Sequence, residues 1–119
     1  MKKVMVIDDQ YTIRELVGMT MEESYEVIKV EDATTAFKRA KEEMPDLIIL
    51  DIMMPKIDGY QICRMLKWDE KTKKIPVIIL TAKHLAEDAA KAKEMGANYF
   101  MTKPFEPSVL KKKVDEFIS

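Results

Sequence analysis

Five short apolar runs, each followed by a stretch with apolar residues at helical spacing, restrict what this 119-residue chain can fold into more than any other feature. The runs are Lys3–Ile7, Val27–Val30, Leu47–Leu50, Val77–Leu80 and Tyr99–Met101. Four of them are too continuous for a half-exposed strand and predict strands covered on both faces, as in a parallel sheet. Val27–Val30 contains Lys29 and is flanked by Glu26 and Glu31, which predicts an edge strand. Between the runs, Ile13, Leu16, Val17 and Thr20 form one helical stripe. Ala33, Ala36, Phe37, Ala40 and Met44 form the next, followed by Gly59, Ile62, Cys63 and Leu66. Leu85, Ala89, Ala92 and Met95, and then Leu110, Val114 and Phe117, complete the set. Pro45 is placed to stop the second helix, Gly96 the fourth, and Pro107 to start the fifth. Strand–helix–strand units connect by right-handed crossovers, so the pattern predicts (βα)5: a doubly wound parallel five-stranded sheet with helices on both faces. The expected strand order is 2-1-3-4-5, with ligands at the carboxyl ends of the strands beside the switch point between the first and third strands.

Length and composition agree with one domain spanning residues 1–119. Surface scaling gives roughly 6,600 Å² exposed when folded, which leaves enough buried for a core without staples. Hydrophobic residues make up 47% and charged residues 34% of the chain, a globular balance. The net charge of −1 gives no reason to expect direct nucleic-acid binding. No apolar run is long enough for membrane insertion, and the N-terminal run is too short for a signal peptide. Cys63 is the only cysteine, so no internal disulfide forms; a cytoplasmic protein with Cys63 as a reduced core thiol is expected. Only Arg14, Arg39 and Arg64 are arginines among 20 basic residues. The Lys/Glu richness leans toward a hot source, and the ten methionines lean against it.

The predicted strand ends carry the chemistry. Strand 1 ends in Asp8-Asp9, strand 3 in Asp51, strand 4 in Thr81-Ala82, and strand 5 in Lys103-Pro104-Phe105. Taken singly these are ordinary: an Asp pair makes a turn, and a threonine suits a strand. Together they put three carboxylates, a hydroxyl and an ammonium in one crevice. Three such carboxylates repel by several kcal/mol at an effective dielectric of about 20, so a cation is expected. An all-oxygen donor set suits Mg²⁺.

The chain resembles the receiver domains of two-component response regulators, chemotaxis-regulator-like, over essentially its whole length. The resemblance rests on Val6-Ile7-Asp8-Asp9, on Leu50-Asp51-Ile52-Met53-Met54-Pro55-Lys56-Ile57-Asp58-Gly59, on Leu80-Thr81-Ala82, and on Gly96 through Phe105. The flavodoxin-like 2-1-3-4-5 order is also that family's, so it is not an independent deduction. The resemblance implies that Asp51 accepts a phosphoryl group from a sensor histidine kinase or phosphotransfer protein. It implies Mg²⁺ bound by Asp8, Asp9, Asp51 and the backbone carbonyl of Met53. Thr81 and Lys103 would bind phosphoryl oxygens, the Lys103–Pro104 bond would be cis, and Thr81 with Phe100 would form a switch read by a downstream protein target. Such a domain is a phospho-accepting switch that catalyses only its own phosphorylation and dephosphorylation, not an enzyme on other substrates. Ala33 and a short turn before Tyr25 depart from the family pattern, away from the chemistry. Met53 and Lys83 flank the approach to Asp51, and neither readily orients a water, so a long-lived phosphorylated state is expected.

The alternative is a Mg²⁺-dependent aspartyl-nucleophile phosphatase of the haloacid-dehalogenase type. That chemistry wants a second Asp two positions after the nucleophile, where this chain has Met53. A flavin-binding module is disfavoured because Asp8 and Asp9 would repel the phosphate. A scaffold-only receiver is disfavoured because all site positions are filled. His84, Trp68 and the Lys111-Lys112-Lys113 run are expected on the solvated surface. No output domain is expected after the fifth helix in this sequence, as in a stand-alone receiver or one cut from a longer regulator.

Overall fold

The computed structural model describes all residues, Met1–Ser119. The elements alternate without exception: β1 Lys3–Ile7, α1 Tyr11–Met21, β2 Glu26–Val30, α2 Ala33–Glu43, β3 Leu47–Leu50, α3 Gly59–Trp68, β4 Val77–Thr81, α4 Ala86–Glu94, β5 Tyr99–Thr102 and α5 Pro107–Ile118. All neighbouring strands are parallel, in the order β2-β1-β3-β4-β5. Alternation along each strand splits the core in two. Met5, Ile7, Ile48, Leu50, Val77 and Ile79 face α2, α3 and α4. Val4, Val6, Leu47, Ile49, Ile78 and Leu80 face α1 and α5. All twelve are at most 1% exposed, as strands covered on both faces must be.

The punctuation acts as the sequence suggests. Met44 caps α2 in the left-handed region at φ 47°, and Pro45 follows it. Gly96 takes φ 97° just after α4, a conformation that favours glycine. Pro107 occupies the first turn of α5. Asp32 and Asp58 cap α2 and α3 by accepting from the amides of Thr34 and Tyr60, each at 2.9 Å.

Three expectations need correction. β5 is not covered on both faces: Tyr99, Phe100 and Met101 are half-buried. As the last strand of the sheet it has one neighbour and is a second edge. In α1 the buried face is Arg14, Val17, Gly18 and Met21, while Leu16 is 37% exposed. The helix is rotated so that Val17 and Met21 enter the core beside α5. In α4 only Ala92 is buried, and Leu85 lies outside the helix at its N-cap, exposed, because α4 covers only the narrow β5 edge of the sheet. Cys63 is a fully buried free thiol, pushed up to about 11 by desolvation. No helix is long and apolar enough to cross a membrane.

Candidate functional site

Strand register decides which side chains meet. Ile7 pairs with Leu50 across β1 and β3, so the next residues, Asp8 and Asp51, leave the sheet at the same level. The ladder continues past the strand ends: the Asp51 amide donates to the Ile7 carbonyl at 3.0 Å, and the Asp8 amide to the Val30 carbonyl at 3.1 Å. Thr81 ends β4 on the adjacent strand, and the Lys103 amide donates to its carbonyl at 2.8 Å. The Lys103–Pro104 peptide is cis.

The carboxylate oxygens of Asp8, Asp9 and Asp51 lie within 4.8 Å of one another. Asp8 is 1% exposed and Asp51 4%, whereas Asp9 stands open to solvent. Lys103 joins the two buried acids: its ammonium is 2.7 Å from Asp8 Oδ2 and 3.2 Å from Asp51 Oδ2. Its third donor goes to the Gln10 side-chain oxygen at 3.0 Å. The other oxygen of Asp8 accepts from the Gln10 amide, and that of Asp51 from the Met53 amide, both at 2.9 Å. Burial pushes the Asp8 carboxyl above its ordinary range and the Asp51 charge adds to the rise, against the hydrogen bonds from Lys103 and Gln10. One ammonium set against three carboxylates leaves the crevice short of positive charge. Its donors are all oxygens, and Asp9 at its front is exposed. A hard divalent cation fits this donor set.

Around the acids, Thr81 is fully buried, and its hydroxyl accepts a long 3.4 Å bond from the Lys83 amide. The Met53 side chain is 50% exposed. Lys83 leans 3.8 Å from Asp88 in the first turn of α4, and Asp88 also accepts from the Tyr60 hydroxyl at 3.2 Å. Phe100 points into the α2–α3–α4 half of the core and Tyr99 into the other, as strand alternation predicts. His84 and Trp68 are exposed; the Arg64 guanidinium lies over the Trp68 ring.

Sequence reasoning placed the acids, Thr81 and Lys103 correctly at one end of the sheet but passed over Gln10 and Arg14. Arg14 is 9% exposed, and its guanidinium donates to the Asp8 backbone carbonyl at 2.8 Å. The available signal was its rarity: an arginine among so many lysines, one helical turn beyond the acidic pair, suits a buried position with several acceptors.

A family model described as the response regulator receiver domain matches residues 4–115. The alkaline phosphatase synthesis transcriptional regulatory protein PhoP of Bacillus subtilis is 42% identical over 107 residues, which cover 89% of this chain and 44% of that protein. The phosphate regulon transcriptional regulatory protein PhoB of Escherichia coli is 37% identical over 110 residues, 92% of this chain and 48% of that protein. The chain thus spans less than half the length of these curated relatives. Among solved structures, the chemotaxis protein CheY4 of Vibrio cholerae superposes with a TM-score of 0.91 at 30% identity, covering 99% of both chains. The BeF3-activated receiver domain of DrrB, a Thermotoga maritima protein, gives a TM-score of 0.91 at 33% identity over 99% of this chain and 97% of that one. With a family model spanning all but the ends of the chain and a relative above 40% identity across most of it, this chain belongs to the response regulator receiver domain family.

Proposed function

We propose that this receiver accepts a phosphoryl group on Asp51 from a phosphohistidine of a sensor histidine kinase or phosphotransfer protein, in a Mg²⁺-dependent reaction, and that phosphorylation changes its contact with a downstream protein. The observation that best supports this is the setting of Asp51: a buried carboxylate fixed at both oxygens, beside two further acids, at the mouth of a parallel sheet. A carboxylate oxygen of Asp51 attacks phosphorus in line with the departing imidazole. The P–O bond forms as the P–N bond breaks, and the electron pair returns to the imidazole nitrogen. The product is an aspartyl phosphate.

This chain's own groups prepare that step. The Met53 amide holds one Asp51 oxygen in place, and Lys103 supplies a positive charge within 3.2 Å of the other. The Thr81 hydroxyl would donate to a phosphoryl oxygen, and Ala82 is small and exposed, leaving the approach clear. Asp8, Asp9, Asp51 and the Met53 carbonyl would hold Mg²⁺, which when bound neutralises phosphoryl oxygens. Loss of the group follows when water attacks phosphorus and the P–O bond to Asp51 breaks. Met53 offers that water no useful hydrogen bond, and Lys83, open to solvent and 3.8 Å from Asp88, supplies it no general base, so turnover is slow. Movement of Thr81 toward the phosphoryl group frees space next to Phe100. The Phe100 ring borders a cleft of about 240 Å³ whose other walls include Ala89, Ala92 and Ala97, small side chains that leave room for rotation.

A panel of autophosphorylated histidine kinases carrying radiolabelled phosphate tests the reading. Label is expected to pass from at least one kinase to the wild type with Mg²⁺, and not in EDTA. Equal transfer to wild type and Asp51→Asn would overturn the assignment.

A further inference from the structure

Of the three acids, only Asp9 lacks a protein partner for its carboxylate. Asp8 and Asp51 are held by Gln10, Met53 and Lys103. Asp9 is exposed and no protein group holds its carboxylate, so the backbone that carries it decides which way its side chain leaves the loop. That backbone is the Asp8–Asp9 peptide, and its carbonyl oxygen is the acceptor of Arg14 Nη1 at 2.8 Å. The same loop is closed on the helix side by the Arg14 amide, which donates to the Gln10 carbonyl at 3.1 Å. Arg14 is itself fixed. It is nine-tenths buried, its other terminal nitrogen is 3.5 Å from Glu31 at the end of β2, and it lies 5.8 Å from the centre of the Tyr11 ring. One side chain thus ties the metal-bearing loop of β1 to α1 and to the β2–α2 turn.

We infer that Arg14 is a positioning residue for divalent-cation binding: by clamping the Asp8 carbonyl it fixes the peptide plane that aims the Asp9 carboxylate at the cation. The inference rests on the proposed function, because it takes the three acids to be a cation site. Arg14 touches neither the cation nor the phosphoryl group. The sign of its effect separates positioning from plain electrostatics. A cationic guanidinium near a cation site disfavours the cation by repulsion, so removing it on charge grounds alone would tighten binding. If Arg14 orients the ligand loop, removing it weakens binding, and groups that orient metal ligands typically contribute about 10–100-fold in affinity.

The experiment is Mg²⁺ titration by calorimetry of wild type, Arg14→Met, Arg14→Gln, Arg14→Lys and Glu31→Gln, with thermal melts of each in EDTA. The expected result is affinity roughly 10-fold or more weaker in Arg14→Met and Arg14→Gln, and an intermediate loss in Arg14→Lys, whose ammonium makes a single donor contact in place of the planar fork. Glu31→Gln removes the ion pair but leaves the carbonyl clamp, and is expected to stay near wild type. Labelling of Asp51 by acetyl phosphate is expected to recover in the Arg14 variants at saturating Mg²⁺. Affinity unchanged or tighter in the folded Arg14 variants, with only the melting temperature lowered, would overturn the inference and leave the proposed function standing. Should Arg14→Met fail to fold, Arg14→Gln and Arg14→Lys give the same reading. Absence of Mg²⁺ binding by the wild type would instead overturn the cation site, and this inference with it.

Discussion

Two tyrosines show what burial beside a carboxylate does to a single group. Tyr25 is buried and donates to Asp115, which Lys111 also grips, and its phenol is pushed up to about 12, mainly by desolvation. Tyr60 is likewise pushed up to about 12 by desolvation, with Asp88 adding to the rise. In both the neutral form is favoured in the folded chain. Their contribution to stability is therefore complete below the ordinary value of 10.0 and lost as pH rises through about 12. Near-ultraviolet titration is expected to show Tyr25 and Tyr60 ionising late, with Tyr25→Phe and Tyr60→Phe each removing one late step. Asp115→Asn should bring Tyr25 part of the way back. Ionisation of Tyr25 and Tyr60 near the ordinary 10.0 would contradict the geometry.

At the scale of the element, the start of α3 is the tightest contact near the site. A Cβ on Gly59 would fall 2.3 Å from the Ile52 Cα and 3.0 Å from the Asp51 carbonyl oxygen, both backbone atoms that cannot step aside. Gly18 in α1 would meet only the end of the flexible Lys29 side chain, at 2.8 Å. Alanine in place of glycine in a helix gains about 1 kcal/mol of propensity, and forced overpacking costs about 1–3 kcal/mol. Gly18→Ala is therefore expected to be near neutral and Gly59→Ala clearly destabilising in denaturant unfolding. Equal midpoints for the two would show that the α3 start is not held against the Asp51 loop. β1, β3 and β4 were legible because an unbroken apolar run has few other stable settings. The rotation of α1 was not, because Leu16 and Val17 are both apolar and only the packing of α5 and β1 chooses between them. β5 read as covered because Tyr99, Phe100 and Met101 are apolar, yet its exposure depends on its place at the end of the sheet. The acids, Thr81 and Lys103 were legible because each ends a strand. Gln10 and Arg14 were not, because their roles are contacts to Lys103 and to a backbone oxygen, which leave no pattern in the chain.

For the whole molecule, the exposed area of 6549 Å² agrees with the roughly 6,600 Å² that chain length alone leads one to expect. The fold is thus an ordinarily packed domain, with its unfavourable charge confined to one end. Burial holds the Asp8 carboxyl above its ordinary 3.8, so its stabilising share is complete below that value and lost as pH rises through the raised one. Once ionised, the buried acid opposes the metal-free fold. Asp8→Asn is expected to raise the melting temperature in EDTA by a few degrees, since about 1 kcal/mol moves a domain of this size by roughly 4 °C. Added Mg²⁺ is expected to raise that of the wild type by mass action. Equal wild-type melting temperatures in EDTA and in excess Mg²⁺ would mean that the acids do not form a cation site. We propose that this sheet end makes Asp51 a phosphoryl acceptor. The most direct test is intact mass after incubation with acetyl phosphate and Mg²⁺, followed by peptide mapping of the adduct. A single phosphoryl adduct on Asp51 is expected, absent in EDTA and absent from Asp51→Asn. An adduct elsewhere, or equal labelling of Asp51→Asn, would contradict it.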